Sequence, residues 1–99
     1  MPKAIVIMIV TFHQKGLRRF YETGSLAGIQ PKHARRLQIL LTALESAQDI
    51  DDMNKPGFYL HRLHGLVPVR WAVTVSGNWR LTFEFVHDNA YVIDYEDYH

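Results

Sequence analysis

The sequence predicts an α+β domain: two N-terminal helices packed on one face of a twisted, mainly antiparallel sheet. Three observations lead there. Apolar residues between positions 31 and 47 recur at helical spacing, whereas the second half of the chain alternates with the period of two that marks strands. Turn residues, among them Pro56-Gly57 and Ser76-Gly77-Asn78, punctuate that second half. At 99 residues, with no internal repeat and no linker long enough to divide it, the chain reads as one domain.

The elements follow in order. Ile5–Phe12 is an apolar run expected to form a strand covered on both faces. It is far short of the roughly 20 residues that span a bilayer. With only Lys3 ahead of it and no small-residue cleavage site, it makes a poor signal peptide. Met8 is an alternative start, which would make residues 1–7 an N-terminal extension. Gly16–Thr23 predicts a short helix with Leu17, Phe20 and Tyr21 on one face, Arg18 and Arg19 turned away, and Gly24 as its C-cap. Pro31 suits the first turn of a longer helix reaching about Ala47, because its missing N–H costs nothing there. Ala34, Leu37, Leu40, Leu41, Leu44 and Ala47 supply the apolar stripe. Asp49–Gly57 is expected as a polar loop. Strands are then expected at Phe58–His64 and Val69–Val75, before a final hairpin that runs from Asn78 through the turn at His87-Asp88-Asn89 to His99. In that hairpin Leu81, Phe83 and Phe85 share one face, and Arg80, Thr82 and Glu84 share the other.

Composition narrows the function. An apolar content of 47% is ample for a core. The absence of cysteine excludes disulfides, thiolate zinc sites and a cysteine nucleophile, and fits a cytoplasmic protein. The net charge of +1 conceals an uneven distribution. Residues 1–48 carry +5 and residues 49–99 carry −4. A basic half can meet a polyanion by releasing its counterions, or can be a set of solvated helix surfaces. Lys32, Arg35 and Arg36 lie in the first turns of the long helix, the wrong end for its dipole, and an anionic partner is one reason to keep them there.

The groups able to do chemistry are His61, His64, Arg80, Asp97, Tyr98 and His99. No phosphate-binding glycine loop or Gly-x-Ser-x-Gly elbow is present. His61 and His64 are three apart, which on a strand puts them on opposite faces and argues against a shared metal ion. Acid–base attack on a phosphodiester fits better. RNA carries its own nucleophile, the 2′-hydroxyl, so a protein need only take one proton, give another and steady charge on phosphorus. An imidazole can do either proton job near neutrality, and a guanidinium can grip phosphate oxygens in a planar fork. Two histidines, an arginine and a carboxylate form a sufficient set without metal or cofactor. Blander readings stand beside these: structural histidines, a surface ion pair of Arg80 with Glu84 or Asp94, a Tyr98 ring that merely caps the sheet, and a frayed tail at His99. Trp71 and Trp79 are read as packing residues.

The ending Asn78-Trp79-Arg80-Leu81-Thr82-Phe83, then Asn89-Ala90-Tyr91-Val92-Ile93-Asp94-Tyr95-Glu96-Asp97-Tyr98-His99, closely resembles the HigB toxins of bacterial type II toxin–antitoxin modules, within the RelE superfamily. Met8–Phe12 with Lys15-Gly16-Leu17, and Tyr59–Gly65, extend the resemblance from about Met8 onward. The resemblance implies a small RelE-like microbial-RNase fold, metal-free cleavage of messenger RNA in the ribosomal A site, and neutralisation by a HigA-like helix-turn-helix antitoxin. It also implies that His61 is an active-site histidine, Arg80 the phosphate-contacting arginine, and Asp97, Tyr98 and His99 the terminal catalytic group. His64 departs from the pattern, since relatives often carry a lysine there followed by Gly-Asp, where this chain has His64-Gly65-Leu66.

The expected function is thus that of a ribosome-dependent RNase in which His61 and His99 share the acid and base roles. Arg80 would hold the scissile phosphate, Asp97 would orient an imidazole or position the substrate, and Tyr98 would set geometry or stack on a base. His64 would add a phosphate contact. Arg18, Arg19, Lys32, Arg35 and Arg36 would dock on ribosomal RNA. The alternatives are a ribosome- or antitoxin-binding module with weakened catalysis, favoured by the His64 departure, and, less well supported, a metal-dependent nuclease.

Overall fold

The computed structural model describes residues 9, 11–86 and 89–98. Helix α1 spans Lys15–Thr23 and α2 spans Ala34–Ser46, followed by strands β1 (His61–Leu63), β2 (Arg70–Ser76), β3 (Trp79–Val86) and β4 (Asn89–Asp97). The strands form one antiparallel sheet in the order β1-β2-β3-β4. The chain around Ile9 and Phe12 bridges Ala90 and Ile93 in parallel fashion. It thus covers the edge of β4 that would otherwise expose unpaired backbone groups. Of the predicted Ile5–Phe12 strand, Ile9 is buried; residues 1–8 and 10 lie outside the described residues.

Helix α1 begins where the Gln14 side chain accepts from the Leu17 N–H at 2.8 Å. It ends at Gly24, whose φ of +80° suits glycine and whose N–H returns to the Phe20 carbonyl. Its start is pressed against the following connection: a Cβ on Gly28 would lie 2.4 Å from the Gly16 Cα. Pro31 does open the second helical segment, but its first turn is a 3-10 turn, Pro31–His33, and the α-helix proper begins at Ala34. The predicted stripe is the buried one: Leu37, Leu40, Leu41, Leu44 and Ala47 join Leu17, Val73, Leu81, Phe83 and Ile93 in a single core.

Two expectations need correcting. The Asp49–Gly57 loop contains a 3-10 turn, Ile50–Met53, held by reciprocal capping between Asp49 and Asp52. That turn drives Met53 fully into the core. The strand expected over Phe58–His64 is only His61–Leu63. Tyr59 has φ +54°, incompatible with an extended run, and Phe58 tucks into the core while its carbonyl accepts from the Thr74 N–H at 2.9 Å. Burial of an aromatic ring has overridden the local alternation.

The hairpin splits its faces as predicted, with Leu81 and Phe83 fully buried. Trp79 continues that inner side, its ring 4.5 Å from Tyr95 and 5.5 Å from His33. It is a packing residue.

Candidate functional site

Register fixes what the other side of the sheet presents. Directly opposed residues share a face. The pairings His61 with Ala72, Ala72 with Thr82, and Thr82 with Asp94 therefore lay one row across all four strands. Thr74, Arg80 and Glu96 form the neighbouring row. Arg70, Glu84 and Tyr98 complete this polar face.

His61 sits at the outer strand, exposed, with Nδ1 3.0 Å from the Tyr59 carbonyl oxygen. A carbonyl can only accept, so Nδ1 carries the proton and Nε2 is left as the atom that can take one up. One strand, β2, separates His61 from the β3 row, which puts two inter-strand spacings, about 10 Å, between them. Buried Ala72 and half-buried Thr74 form the floor between them.

Arg80 folds back toward the β2–β3 turn. One terminal nitrogen donates to the Gly77 carbonyl at 2.6 Å and to the Trp79 carbonyl at 3.1 Å. Its Nε is buried and has no hydrogen-bond partner. The guanidinium carbon lies 5.9 Å from the centre of the Tyr98 ring, a cation–π contact. Tyr98 is fixed through its own N–H, which donates to Asn78 O at 2.8 Å. Burial, with Glu96 next, pushes its phenol above the ordinary value against the opposing pull of Arg70 and Arg80. It stays a neutral donor at physiological pH.

The ion pair of the blander reading, Arg80 with Glu84 or Asp94, does not form. Glu84 lies 3.5 Å from Arg70, and Asp94 lies 3.1 Å from His13. Asp97 is also placed differently from its neighbours in sequence. It opposes Trp79, so strand alternation sets it on the same side of β4 as Trp79, away from Arg80 and Tyr98. There its charge acts on His33 and Tyr95. His99 lies outside the described residues.

The predicted RNA-binding residues divide. His64 is exposed in the turn after β1, Arg19, Lys32 and Arg35 are exposed, and Arg18 bonds Glu22 one helical turn on at 3.1 Å. Arg36 is different. It turns inward over Phe58 and donates to the carbonyls of Thr74 and Gly57, at 3.1 Å and 2.6 Å for its closest contacts. Its charge ties α2 to the sheet, which explains its place near the helix start without any anionic partner.

Sequence reasoning passed over Arg70, Thr82 and Glu96. Arg70 donates to the Thr82 hydroxyl and the Val92 carbonyl, each at 2.9 Å, and Thr82 donates in turn to Glu96. The alternation of β2 and β3 already set Arg70 and Thr82 on one face. The register to β4 was missing. Among the described residues no cluster of three or more His, Cys, Asp or Glu could hold a metal ion.

A small α+β chain with this polar sheet face is a RelE-like toxin of the type II toxin–antitoxin kind: residues 10–99 match the family described as RelE-like toxin of type II toxin-antitoxin system HigB. The chain is also similar to the Endoribonuclease HigB of Proteus vulgaris, 38% identical over 92 residues, which cover 93% of this chain and all of that protein. It belongs to the HigB toxin family, and an antitoxin is the other half of such a system. Among the described residues no helix is long and apolar enough to cross a membrane.

Proposed function

We propose that this toxin is a ribosome-dependent, metal-independent mRNA endonuclease that works in the cytoplasm and is neutralised by a HigA-like helix-turn-helix antitoxin. Its α-helices pack on one face of the sheet and its polar face meets RNA in the ribosomal A site. The observation that carries the reading is Arg80, whose guanidinium is set against Tyr98 on the face that also presents His61. A guanidinium so placed can grip phosphate oxygens in its planar fork. The endoribonuclease name of the Proteus vulgaris relative supports the same chemistry.

In this mechanism an imidazole removes the proton of the RNA 2′-hydroxyl, and the resulting oxygen attacks the adjacent phosphorus. The 5′-oxygen of the next nucleotide leaves with a proton from the second acid. The products are a 2′,3′-cyclic phosphate and a 5′-hydroxyl end. His61 offers Nε2 for one proton transfer and His99 takes the other. Arg80 neutralises charge on the phosphate, and Tyr98 holds that guanidinium in place while its ring faces the substrate. Asp97, on the side of Trp79, positions the chain end. His64, Arg18, Arg19, Lys32 and Arg35 contact RNA phosphates, and Arg36 drops out of that group.

The His64 departure favours a second reading, a ribosome- or antitoxin-binding module with weakened catalysis. Inducing wild type, Arg80→Ala and His61→Ala in cells and mapping mRNA ends separates the two. New ends within translated codons are expected with wild type and are lost in both variants, each still folded. Growth arrest without new ends would establish the binding module.

A further inference from the structure

We infer that Arg70 is a positioning residue that holds a bulge in β4, and that this bulge decides which side of the sheet Glu96 and Tyr98 present; the inference deepens the ribonuclease reading and rests on it. Glu84 opposes Tyr91 and Thr82 opposes Asp94, so a single β3 residue faces two on β4, Val92 and Ile93. That extra residue changes the phase of everything after it. Ala90 is buried. Uninterrupted alternation from Ala90 would turn Val92, Asp94, Glu96 and Tyr98 inward, and Ile93 and Tyr95 outward. The bulge reverses this: Ile93 and Tyr95 are buried, and Tyr98 reaches Arg80.

The bulge is strained and braced. Val92 has φ +50°, a conformation β-branched residues rarely adopt. Its N–H donates to the Thr11 hydroxyl at 2.8 Å, and its carbonyl accepts from Arg70 at 2.9 Å. The next N–H, that of Ile93, donates to the Thr11 carbonyl at 3.1 Å. Arg70 reaches this point from β2 by crossing β3, anchored on the way by Thr82 and Glu84, with only 16% of its side chain exposed. One terminal nitrogen serves both Thr82 and Val92, and the other faces Glu84. The fork is occupied within the protein, so Arg70 acts on the site through the register of β4 and not by gripping RNA.

The test compares full-length Arg70→Met, Arg70→Lys, Val92→Gly and the Arg70→Met/Val92→Gly double variant. Two readouts are taken: NMR cross-strand contacts between Thr82 and Asp94, which need no activity, and cleavage of mRNA on programmed ribosomes. Arg70→Met is expected to lose the Thr82–Asp94 contacts and at least tenfold in kcat, with KM little changed. Val92→Gly keeps both, because glycine adopts a positive φ without strain. The double variant regains the contacts and most of the cleavage, since the bulge no longer needs its brace. If Arg70→Met does not fold, Arg70→Lys, which keeps the charge without the planar fork, is compared with and without Val92→Gly in the same way. Retention of register and cleavage in Arg70→Met would overturn the inference. So would a loss of cleavage with register intact that Val92→Gly fails to rescue, which marks a direct RNA contact. A wild type that cuts nothing would remove the ribonuclease reading, while the NMR contacts would still decide whether Arg70 holds the bulge.

Discussion

Tyr95→Phe deletes one oxygen from the junction between the helical half and the last strand. Tyr95 is 4% exposed and His33 is 2% exposed. The phenol oxygen lies 2.6 Å from His33 Nδ1 and accepts from the Gln30 N–H at 3.3 Å. With that N–H donating to it, the hydroxyl is free to donate its own proton to Nδ1. Burial, helped by Lys32 and opposed by Asp97, lowers the His33 pKa, which favours the neutral ring this bond requires. Removal of the oxygen strands a buried acceptor, and leaves the Gln30 N–H, at a partly exposed position, to water. A buried group deprived of its partner costs about 1–3 kcal/mol. For a domain of this size each kcal/mol moves the melting temperature by about 4–8 °C, so a fall on the order of 5–20 °C is expected at pH 8. Circular-dichroism melts measure it directly. The double variant His33→Leu/Tyr95→Phe, which removes both polar partners, is expected to lose less than the single change. A single variant that melts within 1 °C of wild type would refute the reasoning, as would a double variant whose losses simply add.

Further expectations follow from the same contacts. Gly28→Ala forces a Cβ to 2.4 Å from the Gly16 Cα; because both sides are backbone, the loss is expected at about 1–3 kcal/mol by chemical denaturation. Gly24→Ala meets no atom within 4 Å and carries only the strain of φ +80°, about 1 kcal/mol. With its folded pKa below the usual His value of about 6.5, His33 contributes stability that is complete above that value and is lost as pH falls through it. Melts between pH 8 and pH 5 should show that loss, and His33→Leu should flatten it. Tyr21, whose pKa is pushed up to about 12 by burial and by its bond to Glu45, contributes stability present below pH 10 and lost between pH 10 and about 12. Denaturation across that range with Tyr21→Phe as control checks it.

Much of this architecture was legible in the residues. The α2 stripe, the glycine C-cap at Gly24 and the alternation of Leu81 and Phe83 against Arg80 and Thr82 are local patterns, and local patterns survive folding when tertiary packing agrees with them. Tertiary packing overrode the pattern at Phe58, where core burial and the positive φ of Tyr59 shorten β1. It also claimed Arg36, whose charge suggested RNA but whose partners are two backbone carbonyls. The site was half legible. Arg80, Tyr98 and His61 lie on one face of the sheet, but Asp97 does not, because alternation after the bulge at Val92 turns it to the side of Trp79. Nothing in the one-dimensional sequence marks that bulge. It arises from register between β3 and β4, and so the roles of Arg70 and Glu96 emerge only from the three-dimensional pairing.

The chemistry of the cut ends tests the central claim most directly. Ribosomes programmed with an mRNA bearing a single 2′-deoxy nucleotide at the scissile position, and with the unmodified message, would be incubated with the toxin. Cleavage of the unmodified message alone, leaving a 2′,3′-cyclic phosphate and a 5′-hydroxyl, is the predicted result. Cutting of the 2′-deoxy message, or 5′-phosphate ends, would contradict the account, since water and not the RNA's own hydroxyl would then be the nucleophile.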